Sequence, residues 1–410
     1  MNIWQVVGFL ALGPVAAALA SEPEPDIDCD RLDRAPDIRC SPVVTVALAL
    51  DGERGLWRLW VDQDQIWIQR AETPGAPFDA VRAVNTHPEP ISTGAENRPQ
   101  ILIDGPRLTV VWSRPGEARF TADVRVARST NGGRSFGAPV MVNRDGLAIG
   151  HSFAKVVAGA DGDPLLLWLD GRDRHAAAAA GDAFTGSSLY STRLEGSGRL
   201  AAERAAAYGT CECCRLAVTR LTDGRPLVMW RHIFDGERDH ALGIFDGDEF
   251  VFRRSTFEQW RIDGCPHHGP ALVADDTDAI HAAWFSGAPD ARGVFYRRFE
   301  LDWLTATEFG KPEGAKPLSM GDPDRLPSHP TLATAGSEVV LAWREFDGEQ
   351  HLIQVRRSGD RGRTWGQSRT VARHVGAVDH PALVRRAGEF WLSWHLPGHG
   401  HRLILVEGPA

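Results

Sequence analysis

The sequence predicts an all-β fold built from repeated units, and three observations carry this prediction. Short apolar strands alternate with turns rich in Gly, Asp and Pro, and almost no stretch has the 3.6-residue period of a helix. One strand in every unit ends in tryptophan, at intervals of roughly 50–60 residues. The seven tryptophans at this position are Trp60, Trp112, Trp168, Trp230, Trp284, Trp343 and Trp394. Units of this length are typical of the blades of a β-propeller, which closes into a ring because one blade alone cannot bury both of its faces.

The predicted number of blades is six or seven, and the seven tryptophan strands favour seven. Each unit consists of an innermost strand that opens near a proline, a second strand that ends in Trp, a third strand and, after a polar turn, a fourth. The last unit lacks its fourth strand, which a strand from the segment before the first unit could supply. The one helix-prone run, residues 175–181, is rich in Ala, and we expect a surface loop or a short helix there.

The first twenty residues predict a signal peptide. Residues 6–20 are apolar, and residues 18–20 (Ala-Leu-Ala) have the small-x-small pattern of a cleavage site before Ser21. The segment contains no Lys or Arg, and an uncleaved anchor is the alternative interpretation. We therefore expect a periplasmic or secreted protein with a lead-in segment over residues 21–42 and a propeller over residues 43–410. No other stretch is long enough to span a bilayer.

The net charge and the cysteine content limit the kinds of binding site that the chain can have. The 410-residue chain has a net charge of −9, which argues against a nucleic-acid-binding surface. Cys29 and Cys40 lie close together in the lead-in segment, and in an oxidising compartment they are predicted to form a disulfide. The remaining cysteines fall into two stretches, T-C-E-C-C-R and C-P-H-H, which contain Cys211, Cys213, Cys214 and Cys265.

Three turns carry a resemblance to a known family. Residues 358–365 (S-G-D-R-G-R-T-W) match the Asp-box, S-x-D-x-G-x-[ST]-[WF], in full. Residues 129–136 match it with Asn in place of Asp, and residues 71–78 keep its Gly and its aromatic residue. Each turn follows a third strand and precedes a fourth. The chain thereby resembles the sialidase (neuraminidase) superfamily of Asp-box, or BNR-repeat, β-propellers over residues 43–410, as an atypical member.

This resemblance implies a glycoside hydrolase of the exo-α-sialidase type. Such an enzyme uses a Tyr nucleophile with a Glu partner, an Asp acid/base and three arginines on the substrate carboxylate. The expected Arg-Ile-Pro signature is absent, and its nearest counterpart is the tripeptide around Arg98. The residues that come nearest to a catalytic set are Arg98, Arg114, Arg344, Glu345 and Tyr208. Arginines in salt bridges at the rim are the alternative interpretation, so hydrolysis of terminal sugars is an alternative function and not the predicted one.

One mouth of the central channel is the predicted functional centre. The innermost strands of a propeller line its channel, so the residues that begin these strands crowd together. Five units place Cys or His at this position, namely His151, Cys214, His268, His329 and His380. The adjoining loops contain Cys211, Cys213, Cys265 and His267. The same loops would give the mouth acidic character if their carboxylates were exposed, namely those of Glu96, Glu212, Asp263 and Asp379.

Three interpretations of these cysteines and histidines remain open. In the first, the four cysteines form two disulfides in an interaction scaffold, although adjacent cysteines are awkward for such pairing. In the second, they bind a metal ion, because thiolates and imidazoles are soft ligands suited to copper and then to zinc. The third is a Cys nucleophile with a His base, for which no orienting residue can be identified. The predicted function is binding of metal, or of a small-molecule or glycan ligand, at the channel mouth; the sequence indicates no partner protein.

Overall fold

The computed structural model of the protein describes residues 27–408, except residues 32, 42–45, 53–54, 307–309 and 313–315. The predicted signal peptide lies outside the described residues. One compact unit begins at Ala35. In the unit before it, Arg31 forms an ion pair with Asp33. Within the described ranges, no helix combines the length and the apolar character that a bilayer crossing requires.

The described residues form seven antiparallel sheets, and the strands of each sheet follow one another in sequence order. The first four sheets contain β1 (Ala47–Leu50), β2 (Leu56–Asp62), β3 (Gln65–Ala71), β4 (Arg82–Ala83), β5 (Gln100–Asp104), β6 (Arg107–Pro115), β7 (Ala122–Ser129), β8 (Val140–Met141), β9 (His151–Ala158), β10 (Pro164–Asp170), β11 (Ser187–Arg193), β12 (Arg204–Thr210), β13 (Ala217–Arg220), β14 (Pro226–Arg231), β15 (His240–Asp246) and β16 (Glu249–Arg254). The other three contain β17 (Ala271–Ala274), β18 (Ile280–Ala288), β19 (Ala291–Phe299), β20 (Leu318–Ser319), β21 (Ser328–Ala335), β22 (Glu338–Phe346), β23 (His351–Ser358), β24 (Arg369–His374), β25 (Ala382–Arg386), β26 (Glu389–Leu396) and β27 (Gly400–Val406). The predicted β-propeller is confirmed, with seven blades.

The innermost strands form a closed ring. Each of β1, β5, β9, β13, β17, β21 and β25 contacts the innermost strands of both neighbouring blades, and β25 contacts β1. The last blade has three strands among the described residues. There the lead-in contributes the 3-10 turn Ile38–Cys40, which packs against β27 and β2, and not the strand predicted to complete this blade.

Helices are short and peripheral to the sheets. The Ala-rich run forms α1 (Arg172–Ala180), which confirms the prediction of a short helix there. The other described helix is α2 (Leu301–Thr305), and further 3-10 turns span Ala95–Asn97 and Pro323–Arg325. Helix α1 ends at Gly181, whose φ of 78° lies in the left-handed region that glycine adopts without steric cost.

The seven predicted tryptophans are the largest fully buried side chains of the propeller, each at most 1% exposed. Each lies on the second strand of its blade, and all except Trp60 belong to a cluster of buried apolar side chains. For example, Trp112 of β6 belongs to one apolar cluster with Leu59 of β2 and Ile68 of β3. The regular spacing of Trp in the sequence therefore reflects one repeated packing position.

Two of the three family-like turns form a shared hydrogen-bond pattern. Asp360 accepts from the Thr364 N–H at 2.8 Å, and the Ser358 hydroxyl accepts from the Gly362 N–H at 2.8 Å. In the turn after β7, Asn131 and Ser129 accept equivalent bonds at 3.1 and 3.0 Å. Because a short polar side chain replaces the missing strand partners of these N–H groups, the pattern fixes the turn between the third and fourth strands.

Candidate functional site

Three cysteines meet where the third blade passes into the fourth. Cys211, Cys213 and Cys214 lie in the turn between β12 and β13, and all three are buried. The turn is anchored because the Cys211 N–H donates to the carbonyl of Arg231 at the end of β14, at 2.9 Å. The Cys211 sulfur lies 3.9 Å from that of Cys213 and 3.8 Å from that of Cys214.

These sulfurs are not bonded to one another. A disulfide requires a separation of about 2.0 Å, and Cys211, Cys213, Cys214 and Cys265 are all free thiols in this structure. The interpretation in which they form two disulfides is therefore not what the structure shows. Cys29 and Cys40 are both disulfide-bonded, which confirms the disulfide predicted for the lead-in.

The three-cysteine group is arranged to hold negative charge on one sulfur. Hydrogen bonds from the Cys213 and Cys214 thiols hold the pKa of Cys211 well below its usual range, although burial opposes this. Arg231 acts in the same direction, and Arg238 donates to the Cys211 sulfur at 3.1 Å. The hydrogen bond to Cys211 raises the pKa of Cys213, and burial raises that of Cys214. The surroundings therefore favour the thiolate form of Cys211 over that of Cys213 or Cys214.

The C-P-H-H stretch meets the three-cysteine group as predicted from the channel-mouth alignment. Cys265 and His267 are both exposed and lie in the loop between β16 and β17. The sulfurs of Cys213 and Cys265 and a ring nitrogen of His267 all lie within 4.8 Å of one another. Cys213 therefore belongs to two groups, one buried and one open to solvent.

A row of three histidines continues from His267 across the mouth. The ring centroids of His268 and His329 are 4.5 Å apart, and those of His329 and His380 are 3.5 Å apart. The His329 Nε2 atom forms a 3.3 Å hydrogen bond with the carbonyl oxygen of His267. Burial lowers the pKa of His268 to about 4 and that of His380 to about 3. The row is therefore uncharged at neutral pH, with imidazole nitrogens that retain lone pairs.

Two of the four acidic residues predicted at the mouth, Glu96 and Asp379, are buried and do not give it acidic character. Glu96 forms an ion pair with Arg215 and accepts from the Gly269 N–H at 2.7 Å, while Asp379 pairs with Arg98 at 2.6 Å. Burial disfavours the charged form of Glu96, but Arg215 and His380 together hold its pKa well below its usual range. These carboxylates are internal counterions of the arginines.

The other two predicted acids contribute less to the mouth. Glu212 forms an exposed ion pair with Arg174, and Asp263 is exposed in the loop before Cys265.

His151 does not join the histidine row, contrary to the predicted convergence. Its ring is buried at the start of β9, with Nε2 2.9 Å from Asp145 and Nδ1 2.9 Å from the carbonyl of Ala122. Asp170 lies 3.7 Å from the same ring and pairs with Arg172. The other eight predicted ligands lie in the two cysteine groups and the adjoining histidine row, whereas His151 belongs to a separate ionic cluster in the third blade.

The residues predicted as a weak glycosidase set are not assembled. Tyr208 is 59% exposed on β12, the outermost strand of its blade. Tyr190 and Tyr296 lie on third strands, so none of the three tyrosines begins an innermost strand. Arg114 is a rim residue with Glu89 at 3.4 Å. The Tyr nucleophile that the family resemblance implies therefore has no counterpart here.

The two remaining members of this set have different surroundings. Glu345 is buried and accepts from the Trp343 indole at 2.8 Å and from the Asp322 N–H at 3.1 Å, so it supports the fold. The Arg344 guanidinium makes no hydrogen bond or ion pair within the described ranges, although the charges of Asp379 and Glu96 act on it. It lines a cavity of about 340 Å³ between the fifth and sixth blades.

Sequence reasoning missed Arg238 and Lys155. Arg238 lies in the turn between β14 and β15 and reaches Cys211 through the fold alone, so no local pattern marks it. Lys155 lies in the middle of β9 and lines the central cavity. The composition could have drawn attention to Lys155, because only three of the 45 Lys and Arg residues are lysines.

The comparisons with known proteins identify the fold. No protein-family model matches the sequence. No curated protein matches it. Among solved structures, the polysaccharide lyase Uly1 has 10% identity and a TM-score of 0.50, and the match covers 91% of this chain and 92% of that one. A PL25 ulvan lyase bound to -[GlcA(1-4)Rha3S]- also has 10% identity and a TM-score of 0.50, with 89% and 94% covered. At this identity the likeness shows the propeller fold alone.

Proposed function

We propose that this propeller is an exported protein that binds one soft metal ion, copper(I) or zinc(II), at the mouth of its channel. The ligands are the sulfurs of Cys211, Cys213 and Cys214. The observation that carries the proposal is the spacing of these three buried sulfurs. Export is supported by the pattern of the first twenty residues and by the disulfide-bonded Cys29 and Cys40, because disulfides persist in oxidising compartments.

The sulfur spacing fits a metal–thiolate centre. With metal–sulfur bonds of about 2.3 Å, tetrahedral coordination places two sulfurs about 3.8 Å apart, and trigonal coordination about 4.0 Å apart. The separations from Cys211 are 3.9 and 3.8 Å. No large rearrangement of the turn is therefore needed for these thiolates to share one ion.

Local charge supports the same proposal. Metal binding requires all three thiols to lose their protons, which builds up negative charge in a buried place. Arg238 contacts Cys211 directly, and Arg231, which is also buried, favours its thiolate form. These two guanidinium groups offset the charge that remains after an ion with one or two positive charges has bound.

The exposed pair Cys265 and His267 offers a fourth ligand and a route of entry. Copper(I) is satisfied by three thiolates, whereas zinc(II) prefers four ligands. Because Cys213 lies within 4.8 Å of both exposed residues, an ion captured at the surface can pass inward by exchanging ligands at Cys213. Copper(I) is the ion that the three buried sulfurs favour.

The metal content of the protein tests this proposal. After purification from the periplasm and anaerobic loading, we expect about one copper or zinc ion per chain and an N-terminus at Ser21. X-ray absorption should show sulfur neighbours at about 2.3 Å. Cys213→Ser is expected to abolish stoichiometric binding, while Cys265→Ser retains it with lower affinity. A wild-type protein that binds no metal and has no free thiols would contradict the proposal and favour disulfides.

A second candidate function rests on the cavity beside the histidine row. The polar side chains that line it are those of His268, Arg292, Ser328, Arg344, Glu345 and His351. The Arg344 guanidinium forms no hydrogen bond or ion pair in the described part of the chain, although the charges of Asp379 and Glu96 act on it. A guanidinium with free donors favours carboxylate or sulfate groups. One structure with the same fold is bound to an acidic oligosaccharide. We infer an acidic glycan as the ligand of this cavity.

Binding of acidic polysaccharides tests this second function. Arg344→Met is expected to weaken the binding of a uronate-containing oligosaccharide about tenfold or more, because it removes a charge-assisted hydrogen bond. Arg402→Met, on the exposed edge of β27, is the matched control and should leave binding unchanged. Isothermal titration calorimetry measures both variants. Equal affinity in the two variants would exclude Arg344 from the glycan site.

A further inference from the structure

A separate cavity lies in the central channel between the innermost strands. Its volume is about 330 Å³, and all seven innermost strands contribute to its walls. Aliphatic side chains form much of the lining, including Leu216, Leu272, Leu332 and Leu383. The cavity therefore combines aliphatic and polar surface in one small compartment.

The charged side chains that line this cavity are all basic. They are Arg98, Lys155 and Arg215, and no described Asp or Glu lines the cavity. Arg98 pairs with Asp379 and Arg215 with Glu96. The Lys155 amino group makes no hydrogen bond or ion pair with any described residue. Of the three basic side chains that line the cavity, it is thus the one without a paired carboxylate in the described part of the chain.

The surroundings of Lys155 change the pKa of its amino group. Burial, followed by the charges of Arg215 and Arg98, lowers the pKa of Lys155 to about 7, while Glu96 acts in the opposite direction. His380 lines the same cavity and is uncharged. An ammonium group in this setting has lost much of its hydration and gained no counterion, which is unfavourable unless an anion binds.

We propose that the channel cavity binds a small organic carboxylate. Its carboxylate group pairs with Lys155, and its aliphatic body lies against the leucine side chains of the innermost strands. This site is distinct from the cysteine groups and independent of the proposed metal ion. The leucine side chains favour a short-chain carboxylate over inorganic phosphate or sulfate, because only the organic anion has apolar surface to bury against them.

Calorimetric titration with butyrate and its uncharged analogue butyramide tests the proposal. We expect butyrate to bind at pH 6 and butyramide to bind at least tenfold more weakly. Between pH 6 and pH 8 the affinity for butyrate should fall about tenfold, because butyrate stays ionised while Lys155 loses its proton as pH rises through about 7. Lys155→Met should abolish the preference for butyrate. Lys155→Arg should keep it and remove the pH dependence, because arginine stays charged.

Three outcomes would overturn the proposal. They are equal binding of butyrate and butyramide, unchanged butyrate binding in Lys155→Met, and binding of inorganic phosphate with none of butyrate. If Lys155→Met fails to fold, the comparison of the two ligands and the pH profile of Lys155→Arg still decide. Butyrate binding should persist in Cys213→Ser, so failure of this site and failure of the metal site are distinguishable.

Discussion

Glu96→Gln is expected to lower the free energy of unfolding by about 3–5 kcal/mol, because it breaks a buried ion pair from one side. Glu96 is buried and accepts from the Arg215 guanidinium and from the N–H groups of Arg215 and Gly269. Glutamine keeps the shape but removes the charge, so the partly buried Arg215 guanidinium is left without its counterion. Urea unfolding followed by circular dichroism measures the loss.

A matched exposed pair provides the control for this prediction. Glu195 pairs with Arg199 at 2.5 Å on the surface, and Glu195→Gln should cost less than about 1 kcal/mol because solvent screens the pair. Equal losses in the two variants would mean that burial of Glu96 adds nothing to its ion pair.

The pH dependence of the same variant provides a second check. The pKa of Glu96 is held below its unfolded value of about 4.3, so its ionised form stabilises the fold above that pH. The stabilisation is lost as pH falls below about 4.3. The difference in stability between wild type and Glu96→Gln should therefore shrink below this pH, and a constant difference would contradict the assignment.

Trp394→Ala is the second large expected effect, a loss of about 3–5 kcal/mol of stability. Trp394 is fully buried on β26 in the core between the last two blades, together with Ala342 and Ile353. Its indole N–H also donates to the carbonyl of Asp379 at 3.0 Å. Truncation therefore leaves a cavity between the blades and loosens the segment that holds Arg98.

A tryptophan on the same strand provides the control. Trp391 lies on β26 but is only partly buried, so Trp391→Ala should cost about 1 kcal/mol or less. Urea unfolding followed by circular dichroism compares the two variants without relying on tryptophan fluorescence. Similar losses at both positions would show that burial between the blades is not what Trp394 contributes.

The metal and carboxylate sites would make the channel a shared functional region. Cys211, Cys213 and Cys214 lie shortly before β13, and Lys155 lies in the middle of β9. Arg215 connects them, since it follows Cys214 directly in the chain and lines the cavity of Lys155. Arg215 is neutralised by its ion pair with Glu96, whereas the Lys155 amino group has no ion pair among the described residues.

The sequence by itself determined the propeller fold and the meeting of the two cysteine stretches, and it favoured seven blades over six. Each follows from a local repeat: one Trp per unit marks the packing position, and the start of each innermost strand marks the channel mouth. Ring closure then brings Cys213 near Cys265 although about fifty residues separate them. The disulfide of Cys29 and Cys40 was also predictable, because the two cysteines are separated by only a short stretch of chain.

Only the tertiary structure decided which side chains share an environment. His151 has the strand position of the other histidines, but its ring forms a hydrogen bond with Asp145 and belongs to another cluster. In the sequence Glu96 resembles a surface acid, but in the structure it accepts hydrogen bonds from the N–H groups of Arg215 and Gly269. The state of the four cysteines and the isolation of Lys155 likewise depend on neighbours from other blades. Contacts of this kind arise from ring closure between distant segments, and no local pattern encodes them.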